Sequence, residues 1–327
     1  MARRIGVTVG KFNPPHLGHL YLLERAAFEV DHLYVLLGDR PDQTIPANDR
    51  AAWLGAAAPS NVSVIVTPDD LPAANGPWAQ RALEILPERP DIGFTSEDWG
   101  PGWCAAMGAE HRAVDIDRAN CPISATRLRA DLRREFDWLI PPARAALAKR
   151  LVVAGAESTG KTTLARGLAE RLETSWVPEY GRTYWEGRRY RADQTWRSEE
   201  FAHIAVTHHR IAGDLAGQAS RGVLILDTDA LVTAVWHRRY LGASSPELQM
   251  YAAANRPDHY LICAPDFDWV QDGTRESAAD RLDMHRVTVE LADASGTPFT
   301  VLKGGPARRL TEAIEIVRRT TAFDPLT

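Results

Sequence analysis

Residues 8–26, TVGKFNPPHLGHLYLLERA, place two histidines three apart just behind a lysine and two prolines. Gly10, Lys11 and Phe12 follow a short apolar strand pattern, and Asn13-Pro14-Pro15 cannot continue as helix, so His16-Leu17-Gly18-His19 falls at a helix start. Positions i and i+3 share one helix face, and Gly18 between them allows close backbone approach. Three readings are open. The pair caps and packs the helix, or it binds zinc, although only two ligands are at hand and no acidic or cysteine partner is near. The third reading is an anion clamp, with Lys11 beside two imidazole donors at a positive helix end. The surrounding G-K-F-x-P-x-H-x-G-H spacing favours the clamp.

A second phosphate-type signature lies well over a hundred residues later. Gly155-Ala156-Glu157-Ser158-Thr159-Gly160-Lys161-Thr162 fits G-x-x-x-x-G-K-[ST], preceded by the strand pattern LVVA and followed, from Thr163, by a helical one. Such a loop curls backbone N–H groups around a nucleoside triphosphate at a helix N-terminus. Lys161 is expected to reach the β- and γ-phosphates and the Thr162 hydroxyl to ligate Mg²⁺, with ATP as co-substrate. The strand GVLILDTDA ends in Asp227 and Asp229, at the edge where α/β sheets place ligands. Asp227 suits the outer-shell Mg²⁺ role of a Walker B aspartate, while Asp229 reads equally well as a helix cap. Glu179 and Arg182, in VPEYGRTYW, are expected at the same edge, Glu179 as base or hydroxyl anchor and Arg182 on the acceptor. The polar stretch WVQDGTRESAADR carries Asp272, Arg275 and Arg281, of which Arg275 is the candidate for neutralising the transferred phosphoryl group.

Between the two signatures, ISATRLR reads as a helix capped by Ser124, with Thr126 and Arg129 three apart on one face. Alone it is a cap and a basic solvated face; with the histidine segment it becomes the other half of a triphosphate cradle.

Short β-branched runs alternating with longer amphipathic stretches must position these groups, the rhythm of parallel sheets wrapped by helices. The first half predicts strands over 5–9, 33–37, 62–66, 92–95 and 112–116, and helices over 17–30, 49–57, 78–86 and 125–136. The second predicts strands over 151–154, near Trp176, and over 223–226, 260–263 and 300–302, with helices over 161–172, 198–219, 230–240, 279–292 and 307–319. Pro141 and Pro142 interrupt the pattern, so the expected division is a first domain 1–140, a linker 141–149 and a second domain 150–327.

At 327 residues, 45 % hydrophobic and 25 % charged, the chain has room for about two domains. A formal net charge of −5 disfavours coating nucleic acid and leaves small phosphorylated ligands as the expected partners. Cys104, Cys121 and Cys263 are far apart and odd in number, which suggests neither a disulfide framework nor zinc. The apolar run after the opening arginines is too short for a secretion signal, and no stretch of about twenty apolar residues exists, so a cytoplasmic protein without a membrane partner is expected. Only four lysines occur, and Lys11 and Lys161 both fall inside the signatures. A general drain of lysine explains the survivors equally well.

GKFNPPHLGH and ISATRLR resemble the paired H-x-G-H and I-S-x-T-x-x-R motifs of the nucleotidyltransferase superfamily, matching every defining position. With GAESTGKTTL behind them, the order of motifs resembles the NadR-type family of bifunctional nicotinamide mononucleotide adenylyltransferases and ribosylnicotinamide kinases, over nearly all of the chain. FTSEDWG, VDIDRANCPISAT, VPEYGR and QDGTRE also look like family segments at the expected places. The resemblance implies a Rossmann-like nucleotidyltransferase followed by a P-loop kinase. The kinase would phosphorylate nicotinamide riboside with ATP; the first domain would join the mononucleotide to AMP from a second ATP, giving NAD and pyrophosphate. It further implies His16, His19, Lys11 and Arg129 as donors to the leaving pyrophosphate, with Gly10, Phe12, Gly18, Ser124 and Thr126 around the ATP. Trp78 and Trp99 would stack on a base, with core packing as the alternative for each. Some members carry an N-terminal DNA-binding module, whereas here the first strand begins within a few residues of Met1, so no nucleic-acid role is carried over. Retention of one activity only, a different nucleoside and acceptor pair, or an ATP- and NAD-sensing regulator are the alternatives. A homo-oligomer is left open, as are nicotinate preference and feedback by NAD.

Overall fold

The computed structural model describes residues 3–191, 193–266 and 278–321. Two compact units divide between Ala146 and Leu147. The first holds β1 (Ile5–Gly10), α1 (Leu17–Glu29), β2 (His32–Asp39), α2 (Ala47–Ala57), β3 (Val62–Pro68), α3 (Asn75–Ile85), β4 (Ile92–Thr95), α4 (Gly100–Met107), β5 (Glu110–Ala113), α5 (Ala125–Ala130), α6 (Leu132–Glu135) and α7 (Pro141–Leu147). Its five strands are all parallel, in the order β3-β2-β1-β4-β5. Strands covered on both faces read as continuous apolar runs, and in β1 and β4 the first four residues are all buried. Ile5, Val7, Tyr34 and Leu36 pack there against Ala79, Ala82, Trp103, Cys104 and Met107. The chain turns to opposite sides of β1, towards β2 and then back to β4, which opens a crevice at the carboxyl ends of these strands.

The second unit holds β6 (Lys149–Ala154), α8 (Lys161–Leu172), β7 (Trp176–Val177), α9 (Tyr180–Arg188), α10 (Ser198–Ala216), β8 (Val223–Asp227), α11 (Ala230–Leu241), α12 (Pro246–Ala254), β9 (His259–Cys263), α13 (Ala278–Ser295), β10 (Phe299–Leu302) and α14 (Pro306–Thr320). This sheet is also wholly parallel, in the order β10-β9-β6-β8-β7. β6 lies at its centre, and the P-loop leaves the sheet from that strand. Helices α8 and α14 bury Leu164, Leu168, Ile316 and Val317 against Leu151, Val153 and Ile225.

Several elements depart from the periodicity. α4 lies where the periodicity predicts no element, in a segment opened by Gly100, Pro101 and Gly102; proline is at home in a first turn, and Gly108 in the left-handed region (φ 72°) closes the helix. α9 and α12 were likewise unforeseen, the first a charged, aromatic stretch and the second an alanine-rich one. The expected helix over 125–136 breaks at Asp131, whose backbone leaves helical geometry (φ −154°, ψ 78°) and whose side chain caps α6. β5 begins two residues early, where Glu110 to Ala113 pair with Ile92 to Thr95. Within the segment 141–149, Pro141 and Pro142 open α7 and Lys149 begins β6. Among the described residues no helix is long and apolar enough to cross a membrane.

Candidate active sites

In the first unit, His16 is the N-cap of α1, and the helix start is a reciprocal box built from two imidazoles. The His19 N–H donates to His16 Nδ1 at 3.3 Å, and the His16 N–H donates to His19 Nδ1 at 3.2 Å. The rings stack with centroids 3.6 Å apart. A neutral imidazole that accepts at Nδ1 carries its proton on Nε2, so both rings are Nε2–H donors. Gly18 suits this close approach: a Cβ on it would stand 3.1 Å from the His16 ring, so the ring would have to give by a few tenths of an ångström. Phe12, buried and with φ of 48°, packs its ring edgewise on His19 at 4.8 Å and lies against Gly10.

The ISATRLR segment comes to the same place. Ser124 caps α5 by accepting the Arg127 N–H at 3.2 Å, and Arg129 donates to the Asn13 carbonyl at 2.5 Å and to Thr126 Oγ1 at 3.2 Å. Lys11 is largely exposed and 3.6 Å from Asp69. Trp99, 42 % exposed beyond β4, stands edge-on to Trp103, whereas Trp78 is half-buried and packs on the core.

Burial holds the His16 pKa down to about 3, with the Arg118 guanidinium adding to the effect. His19 is lowered as well, by burial first, then by His16 and Arg118. Both rings are therefore neutral donors at neutral pH. Arg118 was not foreseen. It sits on the loop between β5 and α5 at φ 52°, where Asp115 accepts from the Asn120 backbone at 3.0 Å, the Asn120 side chain at 2.9 Å and the Cys121 backbone at 3.0 Å. Nothing local in DIDRAN distinguishes it from a solvated turn arginine. Arg50 was also missed: wholly buried, it donates to the Ile45 carbonyl at 2.9 Å, the Gly38 carbonyl at 3.2 Å and the Lys11 carbonyl, tying together the ends of β1 and β2.

In the second unit the P-loop runs from β6 into α8, with Gly160 at φ 82°. Ser158, at φ 56°, and Glu157 line the cavity beside it; Thr163 is exposed in the first turn of α8. Lys161 is buried and donates to the Ala156 carbonyl at 3.0 Å, as does Thr159 Oγ1 at 2.8 Å. Thr162 Oγ1 donates to Asp227 Oδ2 at 2.6 Å. Burial raises the Asp227 carboxyl to about 6, against the pull of Lys161 and with a further push from Glu179. Asp229 is the cap of α11, accepting the Val232 N–H at 3.0 Å and the Tyr260 hydroxyl at 2.6 Å. Arg275 and Asp272 lie outside the described residues. Behind the loop, buried Arg309 donates to the Thr159 and Ala264 carbonyls, each at 2.7 Å, and pairs with Asp266.

Thr162 and Asp227 meet directly through their hydrogen bond, so a cation ligated by the Thr162 hydroxyl would have Asp227 in its outer shell. Asp227 Oδ1 is buried with no hydrogen-bond partner among the described residues, and a cation would favour the charged form that burial disfavours. No group of three or more His, Cys, Asp or Glu side chains suited to a metal occurs among the described residues. A hydroxyl ligand with phosphate and water completing the shell, and a carboxylate held outside it, is compatible with Mg²⁺ at a triphosphate.

Beside the loop lies a cavity of about 250 Å³. Lys161, Glu179 and Arg182 line it together with Trp185, Trp196, Phe201, His208, Trp236 and Tyr240. Trp196 and Tyr240 stack at 5.2 Å, and Trp236 and Tyr240 at 5.7 Å. Arg188 lies 4.2 Å over Trp196 and bonds Glu200 at 3.0 Å, which fixes that wall. None of these aromatic residues was expected at the site, because they come from α10, α11 and their neighbours and share no contiguous motif.

Residues 7–100 match the Cytidylyltransferase-like family, and residues 150–309 match the AAA domain family. The chain is 26 % identical to the trifunctional NAD biosynthesis/regulator protein NadR of Escherichia coli (strain K12), over 97 % of this chain and 83 % of that protein. Two solved structures share its fold: NadR in complex with NR (TM-score 0.72, 24 % identity, 99 % of this chain and 98 % of that one) and NadR in complex with NAD and AMP-PNP (TM-score 0.69, 23 % identity, 99 % and 97 %).

Proposed function

The chain is a homologue of the NadR proteins over nearly its whole length, and from that premise we propose that it makes NAD in two ATP-dependent steps. The second unit phosphorylates nicotinamide riboside, and the first adenylylates the resulting mononucleotide. The observation that carries this reading is the presence, in one chain, of two phosphate-binding constellations, each at the end of the first strand of its own parallel sheet.

In the second unit the riboside occupies the aromatic-lined cavity, where a cationic pyridinium ring finds favourable π-faces. Its 5′-oxygen attacks the γ-phosphorus and the bond to the β-phosphate oxygen breaks, releasing ADP. Glu179 takes the hydroxyl proton and Lys161 meets the transferred charge. Thr162 would ligate Mg²⁺ with Asp227 in its outer shell, and the ion would supply neutralisation of phosphate charge. In the first unit a phosphate oxygen of the mononucleotide attacks the α-phosphorus of ATP and pyrophosphate leaves, with no covalent enzyme intermediate. His16 and His19 donate through Nε2 to the phosphate oxygens, and Lys11 and Arg129 offset the charge of the leaving group. Trp99, exposed beyond β4, is the candidate to stack on a base. The adenylyltransferase domain is proposed to span 1–140 and the kinase domain 150–327, joined by a linker 141–149, acting in the cytoplasm.

Separate assays of riboside plus ATP and of mononucleotide plus ATP test the proposal. Lys161→Ala is expected to abolish the first and spare the second, and His16→Ala the reverse. Loss of adenylyl transfer in Lys161→Ala would refute two independent sites. Binding of ATP and NAD with no product in either assay would point to a sensor.

A further inference from the structure

Thr228 stands between the two aspartates at the strand end of the second unit and has no part in the chemistry above. It is the single residue separating the end of β8 from Asp229, the cap of α11, and its backbone lies in the left-handed region at φ 74°. Glycine is at home there, whereas a β-branched residue is an outlier that persists only where its surroundings hold it. They hold it from both sides. The Thr228 N–H donates to the Val153 carbonyl at 3.1 Å, and Asp227 before it receives the Thr162 hydroxyl at 2.6 Å. Asp229 after it receives the Val232 N–H at 3.0 Å and the Tyr260 hydroxyl at 2.6 Å. Strain of this kind gathers at functional sites, and a sharp strand-to-helix turn is one way to present a single side chain at the carboxyl edge of a sheet.

The side chain presented is that of Thr228 itself. Thr228, Val232, Trp236 and Tyr240 all line the cavity, four residues apart, so Thr228 heads the row that α11 turns towards it. The residue is only 5 % exposed. Its hydroxyl has no hydrogen-bond partner among the described residues, yet it is not sealed in the interior as Thr297 Oγ1 is. What remains open of Thr228 therefore includes Oγ1, on the cavity side. Thr233, also on this wall, spends its hydroxyl on the Asp229 carbonyl at 2.8 Å. The turn itself suits glycine; what threonine adds is a hydroxyl that the fold does not use. We propose that Thr228 Oγ1 hydrogen-bonds the nucleoside acceptor in this cavity, and that the left-handed turn serves to present it. The nucleoside is the ligand because Thr228 continues the row that carries Trp236 and Tyr240 of the aromatic wall. The assignment rests on the riboside-kinase reading.

The test uses the full chain with nicotinamide riboside, ATP and Mg²⁺. Thr228→Val keeps the branched shape and the strain and removes only the hydroxyl. It is expected to lower kcat/KM for the riboside about three- to tenfold, the usual effect of one lost hydrogen bond, with KM for ATP unchanged. Thr228→Ser, which keeps the hydroxyl, is expected to stay close to the unaltered protein. Thr228→Ala and Thr228→Gly both lack the hydroxyl and differ in strain. Without ligands the glycine variant is expected to melt at the higher temperature, and it should be no more active on the riboside than the alanine variant. Unchanged kcat/KM in Thr228→Val, an equal loss in Thr228→Ser, or a loss confined to KM for ATP overturns the contact. A glycine variant that melts no higher than the alanine variant overturns the part given to the turn. Absence of turnover on nicotinamide riboside by the unaltered protein overturns the underlying kinase reading instead.

Discussion

His16 and His19 lock each other: their rings stack at 3.6 Å while each Nδ1 accepts the other's backbone N–H. One arrangement thus gives the His16 N–H an acceptor, adds a second to the His19 N–H, which also donates to the His16 carbonyl at 2.9 Å, and sets the tautomer of both rings. The cap, one of the readings open in the sequence, is what this pair forms, and it leaves Nε2–H on both rings as the donors that the proposed clamp requires.

Removing one donor should therefore cost catalysis more than folding. His19→Ala is expected to lower the rate of adenylyl transfer from supplied mononucleotide by about 10²–10³-fold, the usual effect of losing one preorganised donor to a developing oxyanion. His19→Gln, which keeps an N–H near the Nε2 position, should fall between the two. Initial rates with ATP saturating measure this, and equal rates for the Ala and Gln variants would count against a donor role.

The same burial makes the first unit acid-sensitive. His16 has a folded pKa near 3 against about 6.5 when unfolded, so between those values the unfolded chain binds the extra proton. Stability from this residue is complete above pH 6.5 and declines as pH falls towards 3. His16→Gln should flatten that part of the stability profile, read from urea midpoints between pH 4 and 7.5, although it also alters the cap.

Arg118 adds to the burial that depresses both imidazoles, and contact with an incoming phosphate is the role proposed for it. Arg118→Ala is expected to raise the KM for ATP in adenylyl transfer several-fold and to shift the imidazole titrations upward. Chemical shifts of the two rings against pH, followed by NMR, check the second effect.

The two phosphate motifs were legible because their function depends on contiguous spacing: Gly155 to Thr162 must curl within one strand-to-helix turn, and His16 must cap the helix that His19 belongs to. The sheets were legible for a similar reason, since a parallel strand buried on both faces has to be an apolar run. What surrounds the motifs was not. Arg118 and Arg50 act through tertiary placement, and the cavity wall joins Trp196, Phe201, Trp236 and Tyr240 from separate elements. Helices α4 and α9 escaped because glycine, proline and charged residues mask a period that packing enforces.

Arg309 shows how far such hidden support reaches into the chemistry. Its guanidinium, wholly buried behind the P-loop, holds the Thr159 carbonyl and the Ala264 carbonyl at 2.7 Å each and pairs with Asp266. Thr159 in turn bonds Ala156, the residue whose carbonyl also receives Lys161. Arg309→Met would leave two buried carbonyls without this donor and Asp266, which keeps the Gly304 N–H at 2.6 Å, without its cation; the expected loss is about 3 kcal/mol, discounted because Asp266 is partly exposed. Arg309→Lys should recover little, since a single ammonium cannot serve diverging acceptors as a planar fork does. ATP with Mg²⁺ binds only the folded loop, so it should raise the melting temperature of the second unit in Arg309→Met, by mass action. Calorimetry with and without nucleotide measures both quantities. An unchanged melting temperature and an unchanged KM for ATP in the riboside assay would show that the loop keeps its shape without this arginine.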